Sequence, residues 1–137
     1  MTDPSAYTTQ EQTTRGLALV LWATRPEQPE LCAGPFMYAA AAAAMDLEVE
    51  IHFTAQSILL LRPGLADALY AGADRTRSIA MFMRDAREHG AKFLACTAAM
   101  QNFGLTRAEL EPVVDGFAGA SSVVGRLCRP DWRVLVF

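Results

Sequence analysis

Cys96 stands in the run Lys92-Phe93-Leu94-Ala95-Cys96-Thr97-Ala98-Ala99-Met100, where a short apolar segment with strand character gives way to small residues that suit a helical turn. A thiol at the carboxyl end of a strand in an alternating α/β protein lies at the crevice where such folds place their chemistry. Backbone N–H groups of a turn starting near Thr97 would face the sulfur and favour its thiolate, the form that attacks other sulfur atoms. An ordinary thiol is only a few per cent ionised at neutral pH, so these amides or a nearby cation have to help, and Arg25, Arg62 and Arg75 are the loop cations within reach of consideration. The residue types alone leave two readings of Cys96 open, a reactive thiolate or a small buried apolar side chain.

Cys32 is the second candidate thiol, because its loop also follows a strand and opens at the same edge of a parallel sheet. As a resolving thiol it would close a disulfide with Cys96, provided the two sulfurs can approach closely enough for disulfide geometry. Cys128, beside Leu127 near the end of a last helix, is expected to pack. His52 reads as the polar face of an edge strand and His89, before Gly90, as a helix-end residue favoured by the dipole, so neither is assigned catalysis. Glu48 and Glu50 share a strand face and are expected to be solvated, which does not make an acid/base pair. The cysteine spacings form no C-x-x-C knuckle for zinc, and no glycine cluster forms a phosphate-binding fingerprint, so neither a metal nor another cofactor is expected.

The elements that must position Cys96 follow from pattern. The apolar run from Leu17 to Ala23 predicts a first strand buried on both faces. A Pro-rich loop over 24–34 precedes a helix from Pro35 to about Met45, whose alanine run lets it lie close to a sheet. Leu47, Val49, Ile51 and Phe53 alternate with Glu48, Glu50 and His52, the signature of a strand with one polar face and hence an edge strand. Ile58 to Leu61, four large apolar residues in a short element, are read as partly a subunit contact. A helix is expected over 76–89, stopped by Gly90, with Arg75, Arg77, Arg84 and Arg87 interleaved among Asp74, Asp85 and Glu88 as a salt-bridged surface. Phe93 to Ala95 is the strand that delivers Cys96. Thr106 to Glu109 has a capping-box pattern, Val113-Val114 a brief strand, 118–127 a last helix and Val134 to Phe137 a last strand. This alternation predicts an α/β fold, a three-layer sandwich with a mainly parallel sheet of about five strands.

At 137 residues, of which 52% are hydrophobic, the chain has the material for one domain, placed at 16–137 behind a polar arm at 1–15. A formal charge of −3 argues against nucleic acid or an anionic membrane as partner. No leader pattern or uninterrupted apolar span is present, so the expectation is a cytoplasmic protein with free thiols.

The stretch Ala95-Cys96-Thr97-Ala98-Ala99-Met100, followed by Gly104-Leu105, Glu109-Leu110 and the segment 113–120, resembles the DsrE/DsrF-like sulfur-relay family around its functional cysteine. Val49 to Thr54 is similar to the second strand of that family, and the small-residue helix before it to its first helix, so the resemblance runs in order over 17–137. It implies a parallel α/β fold, assembly as a homotrimer or homohexamer, and sulfur carried as a persulfide on Cys96, received from a donor protein and passed to an acceptor. It assigns no role to Cys32. Ala99 stands where a Ser before Met is common in the family, which implies the loss of a hydroxyl near the sulfur. The other readings are a thiol redox protein using Cys96 with Cys32, and a noncatalytic oligomeric interaction module.

Overall fold

The nearly unbroken apolar run Gly16–Leu21 forms β1 of a five-stranded sheet in the order β4-β3-β2-β1-β5, and every pairing is parallel. The computed structural model describes residues 13–137. The other strands are β2 (Glu48–Phe53), β3 (Lys92–Cys96), β4 (Gly116–Ala118) and β5 (Trp132–Val136). Helices α1 (Ala33–Ala44) and α2 (Ile79–Glu88) pack together on one face of the sheet, while α5 (Ala120–Leu127) covers the other. The short helices α3 (Thr97–Asn102) and α4 (Arg107–Leu110) follow β3 at its carboxyl end. The result is the expected three-layer arrangement. No helix among the described residues is long and apolar enough to cross a membrane.

The core fills the first of these layers. Leu19, Leu21, Val49, Ile51, Phe53, Phe93 and Ala95 point from the strands onto Phe36, Ala39, Ala42, Ile79, Met83 and Ala86 of the helices, all buried. Phe36, Phe53 and Phe93 form its centre, with ring centroids 5.0–6.0 Å apart. The alanine run of α1 allows close approach here, as expected from its lack of side-chain bulk.

Several local expectations are corrected. β2 is an interior strand, flanked by β1 and β3, not an edge. Its polar face is tolerated in the middle of the sheet because Arg126 of α5 descends onto Glu50 and neutralises it there. Residues Ala55–Leu61 form a 3₁₀ segment in which Ile58, Leu60 and Leu61 are buried within the chain, so these three are core and only Leu59, half-buried, keeps any outward surface. The brief strand lies at Gly116–Ala118, just after Val113-Val114, since Val113 and Val114 donate their N–H groups to Leu110 and close the α4 turn. The helix-surface arginines do not pair with one another's acidic neighbours. Arg87 reaches Asp115, while Arg75 and Arg77 stack on Tyr70 and Phe82.

Of the arm placed at 1–15, residues 1–12 lie outside the described residues. Arg15 joins the sheet margin: its N–H donates to Asp131, its carbonyl accepts from Glu48, and its guanidinium pairs with the Glu48 carboxylate at 3.2 Å.

Candidate functional site

Cys96 is the last residue of β3 and the residue immediately before α3, in extended conformation at φ −74° and ψ 120°. The change from strand to helix occurs at this residue because the β-type pattern of Phe93-Leu94-Ala95 meets the small residues Thr97-Ala98-Ala99, which adopt a helical turn without crowding. Its side chain is half-buried and accepts no capping hydrogen bond from the turn that follows.

The sulfur belongs to the second, thinner layer of the molecule. On this face of the sheet Val20 and Trp22 from the β1 end, His52 and Thr54 from the β2 end, Cys96, and Ala118 come together beneath α5. They enclose a cavity of about 310 Å³, closed by Gly119, Ala120, Val123 and Val124. Its rim is pinned by Ser57, whose buried hydroxyl lies 2.8 Å from the Leu21 carbonyl and 2.6 Å from that of Thr54, and accepts from the Thr54 N–H. This one side chain therefore locks the ends of β1 and β2 in register at the mouth.

Apart from Cys96, the one titratable side chain lining this cavity is His52, which is buried. Arg25, Arg62 and Arg75 do not line it. The Arg25 carbonyl accepts from Cys32, the Arg62 guanidinium donates to the Phe103 carbonyl, and Arg75 covers Tyr70. The polar partner of the site lies on β2. His52 Nε2 is 3.2 Å from Glu50 Oε1, and Arg126 grips the same carboxylate with Nε to Oε1 at 3.0 Å and a second nitrogen to Oε2 at 2.6 Å. The Arg126 guanidinium in turn lies 3.7 Å from the centroid of the buried Trp132 ring. That stack needs Gly16 on the neighbouring strand, because a Cβ there would run into the indole.

Glu50 is thus far from solvated. Burial pushes its carboxyl up, but the hydrogen bonds from His52 and Arg126 and the positive charge of Arg126 outweigh burial and hold it at about 2. Glu48, one pleat earlier, is exposed and paired with Arg15, as its alternation suggests. The residues that pattern reading missed are His52, taken for the outer face of an edge, and Arg126. The available signal was the presence of an arginine on the one helix following β4, facing a strand with carboxylates at every second position.

The other thiols are placed apart. Cys32 is fully buried beneath the Pro-rich loop, its Sγ donating to the carbonyls of Arg25 (3.3 Å) and Gln28 (3.5 Å). Burial pushes this thiol up to about 11, and it does not line the Cys96 cavity. Cys128 ends α5 and is exposed, which corrects the packing role expected for it, since α5 buries none of its residues. His89 closes α2 with Nδ1 2.8 Å from the Asp85 carbonyl, a helix-end role. Ala99 is buried in α3 and turned from the cavity, which Thr97 and Ala98 line instead. Among the described residues no three His, Cys, Asp or Glu side chains converge in a way that would hold a metal ion.

Comparison with known proteins agrees with this architecture. The model of the DsrE/DsrF-like family matches residues 18–137. The YchN protein of E. coli, known from a crystal structure, superposes with a TM-score of 0.68 at 13% identity, over 90% of this chain and 99% of that one. A conserved protein of unknown function from Bacteroides thetaiotaomicron, BT1422, superposes with a TM-score of 0.61 at 13% identity, over 93% of this chain and 100% of its own. At such identities these structures speak to the fold. No curated protein sequence matches the chain significantly.

Proposed function

The chain belongs to the DsrE/DsrF-like family, and from that premise we propose that it is a sulfur carrier that holds sulfane sulfur as a persulfide on Cys96 and hands it to a partner protein. The observation that carries this reading is the setting of Cys96: a half-buried thiol at the carboxyl end of a parallel strand, opening into a mainly apolar cavity of about 310 Å³. Such a cavity admits a short sulfur chain or the tip of a partner's cysteine-bearing segment, and its apolar walls shield a persulfide from polar oxidants. It offers no cationic cradle for a phosphate.

The chemistry conserves atoms and electrons. The Cys96 thiolate attacks the outer sulfur of a donor persulfide, R–S–SH; a new S–S bond forms, the donor's S–S bond breaks, and R–S⁻ departs. An acceptor thiolate then attacks the outer sulfur of Cys96–S–SH, regenerating the Cys96 thiolate. No external oxidant or reductant is required. Cys32 is left out of this scheme because its buried, strongly protonated thiol is a poor resolving group, which also weighs against the redox-pair reading.

The same reading includes a homotrimer or homohexamer. It is supported by exposed apolar side chains at the cavity and beside it: Trp22, 64% exposed, and Val124, 53%, line it, and Val136, 66%, stands on β5 opposite the lining residue Val20.

The direct test is intact-mass spectrometry after incubation with a hydropolysulfide, without reductant. Additions of about one sulfur mass, reversed by dithiothreitol, are expected on the wild type and on Cys32→Ser and absent from Cys96→Ser. Full loading of Cys96→Ser would overturn the assignment.

A further inference from the structure

We propose that His52 is the proton acceptor and donor for Cys96, held in the required tautomer by Glu50 and Arg126; this rests on the reading of Cys96 as the working thiol. Glu50, held at about 2, is a carboxylate at any physiological pH and can only accept hydrogen bonds. The neutral ring of His52, 3.2 Å away through Nε2, must therefore carry its proton on that nitrogen. Nδ1 is left with a lone pair, and it makes no hydrogen bond among the described residues. Arg126 fixes the carboxylate through two bonds, so the ring is oriented by a chain that runs from Trp132 through Arg126 and Glu50 to His52.

The sheet brings this ring next to the thiol. Phe53 pairs with Ala95, so Cys96 stands opposite Thr54 and is the next residue but one along from the position facing His52, on the same face. That offset is one strand spacing, about 4.8 Å, across and one pleat, about 6.6 Å, along. No direct bond joins the two side chains, which line the same cavity, and the proposed transfer runs through a water bridging them there. The groups facing His52 are otherwise uncharged: Val20 from β1, Leu94 from β3 and Thr54 on its own strand. Glu50, Arg126 and Cys96 are the ionisable groups that face it, and Lys92 lies a full pleat beyond Leu94, beside Glu50.

The step balances. The Cys96 thiol gives its proton to Nδ1, leaving a thiolate and an imidazolium that keeps its Nε2–H on Glu50. The thiolate attacks the outer sulfur of R–S–SH, and the departing R–S⁻ takes the proton from Nδ1 and leaves as R–SH. The ring returns to its starting tautomer.

The test is alkylation of folded protein by iodoacetamide as a function of pH, with exposed Cys128 of the same molecule as internal reference. It reads proton coupling independently of sulfur loading. In His52→Asn the Cys96 rate relative to Cys128 is expected to fall about 10-fold or more at pH 7, and to converge on wild type at high pH, where the thiol ionises unaided. Glu50→Gln, which no longer demands Nε2–H, is expected to show a smaller drop of the same shape. A Cys96 to Cys128 ratio unchanged at every pH in folded His52→Asn would overturn the proposal. If that variant does not fold, nitrogen-15 NMR of the wild-type ring decides. A neutral ring protonated at Nε2, with a titration midpoint that moves in Cys96→Ser, is expected; a neutral ring protonated at Nδ1, or an unmoved midpoint, would overturn it.

Discussion

Three cysteines in one small chain present three chemical situations, and burial rather than local sequence separates them. Cys32 is sealed and its thiol sits at about 11, so on the order of one molecule in ten thousand carries the thiolate at pH 7. Cys96 is half-buried at a cavity and Cys128 is exposed. Iodoacetamide at neutral pH, followed by peptide mapping, is therefore expected to label Cys128 and Cys96 while Cys32 is slower by about 100-fold or more. Labelling of Cys32 at a rate comparable with Cys96 would show that the Pro-rich loop opens readily. Cys96 was legible in the sequence because its position depends on a strand-to-helix switch that the residues announce themselves. Cys128 was not, since its exposure follows from how thinly α5 covers the sheet, which no local pattern records.

Among the elements, β2 carries the largest correction. Its alternation was read rightly and its place in the sheet wrongly, because a polar strand face indicates water or a buried partner equally well. The partner, Arg126, lies 76 residues further along the chain. The ion pair that resolves the ambiguity also sets a pH dependence. Glu50 has a folded value of about 2 against an ordinary 4.5, and its side chain is 16% exposed. A lowered carboxyl stabilises the fold above its unfolded value and loses that contribution as pH falls through the folded one. The expected contribution, on the order of 3 kcal/mol, is present at pH 7 and fades between about pH 4.5 and 2. Urea titrations should show Glu50→Gln less stable than wild type at pH 7, with the gap closing as pH approaches 2; a gap independent of pH would mean the pair contributes by packing alone. Elsewhere the Gly90 stop after α2 and the Thr106 cap act locally and so were readable, while α1 begins at Ala33, ahead of the expected Pro35, and α2 at Ile79, after the expected residue 76.

At the scale of the molecule, the alternation of elements was enough to give a parallel sheet in three layers, because parallel strands require crossovers and crossovers require helices. The layers are unequal: α1 and α2 seal one face, while α5, with no buried residue, leaves apolar side chains around the thiol cavity in contact with solvent. If subunits meet there, Trp22→Glu is expected to shift sedimentation velocity toward a smaller species at micromolar protein. An unchanged sedimentation coefficient would place any subunit contact elsewhere. The pairing of β1 with β5, from Gly16↔Trp132 to Val20↔Val136, joins segments from opposite ends of the described chain. Contacts so distant in sequence form late and slowly. During synthesis β3, and with it Cys96, emerges before α5 and β5, which roof and buttress the cavity, are free to fold over it. The nascent chain consequently passes through an interval in which the Cys96 thiol has no lid above it, so that its greatest exposure to adventitious oxidation falls at birth rather than in the finished protein.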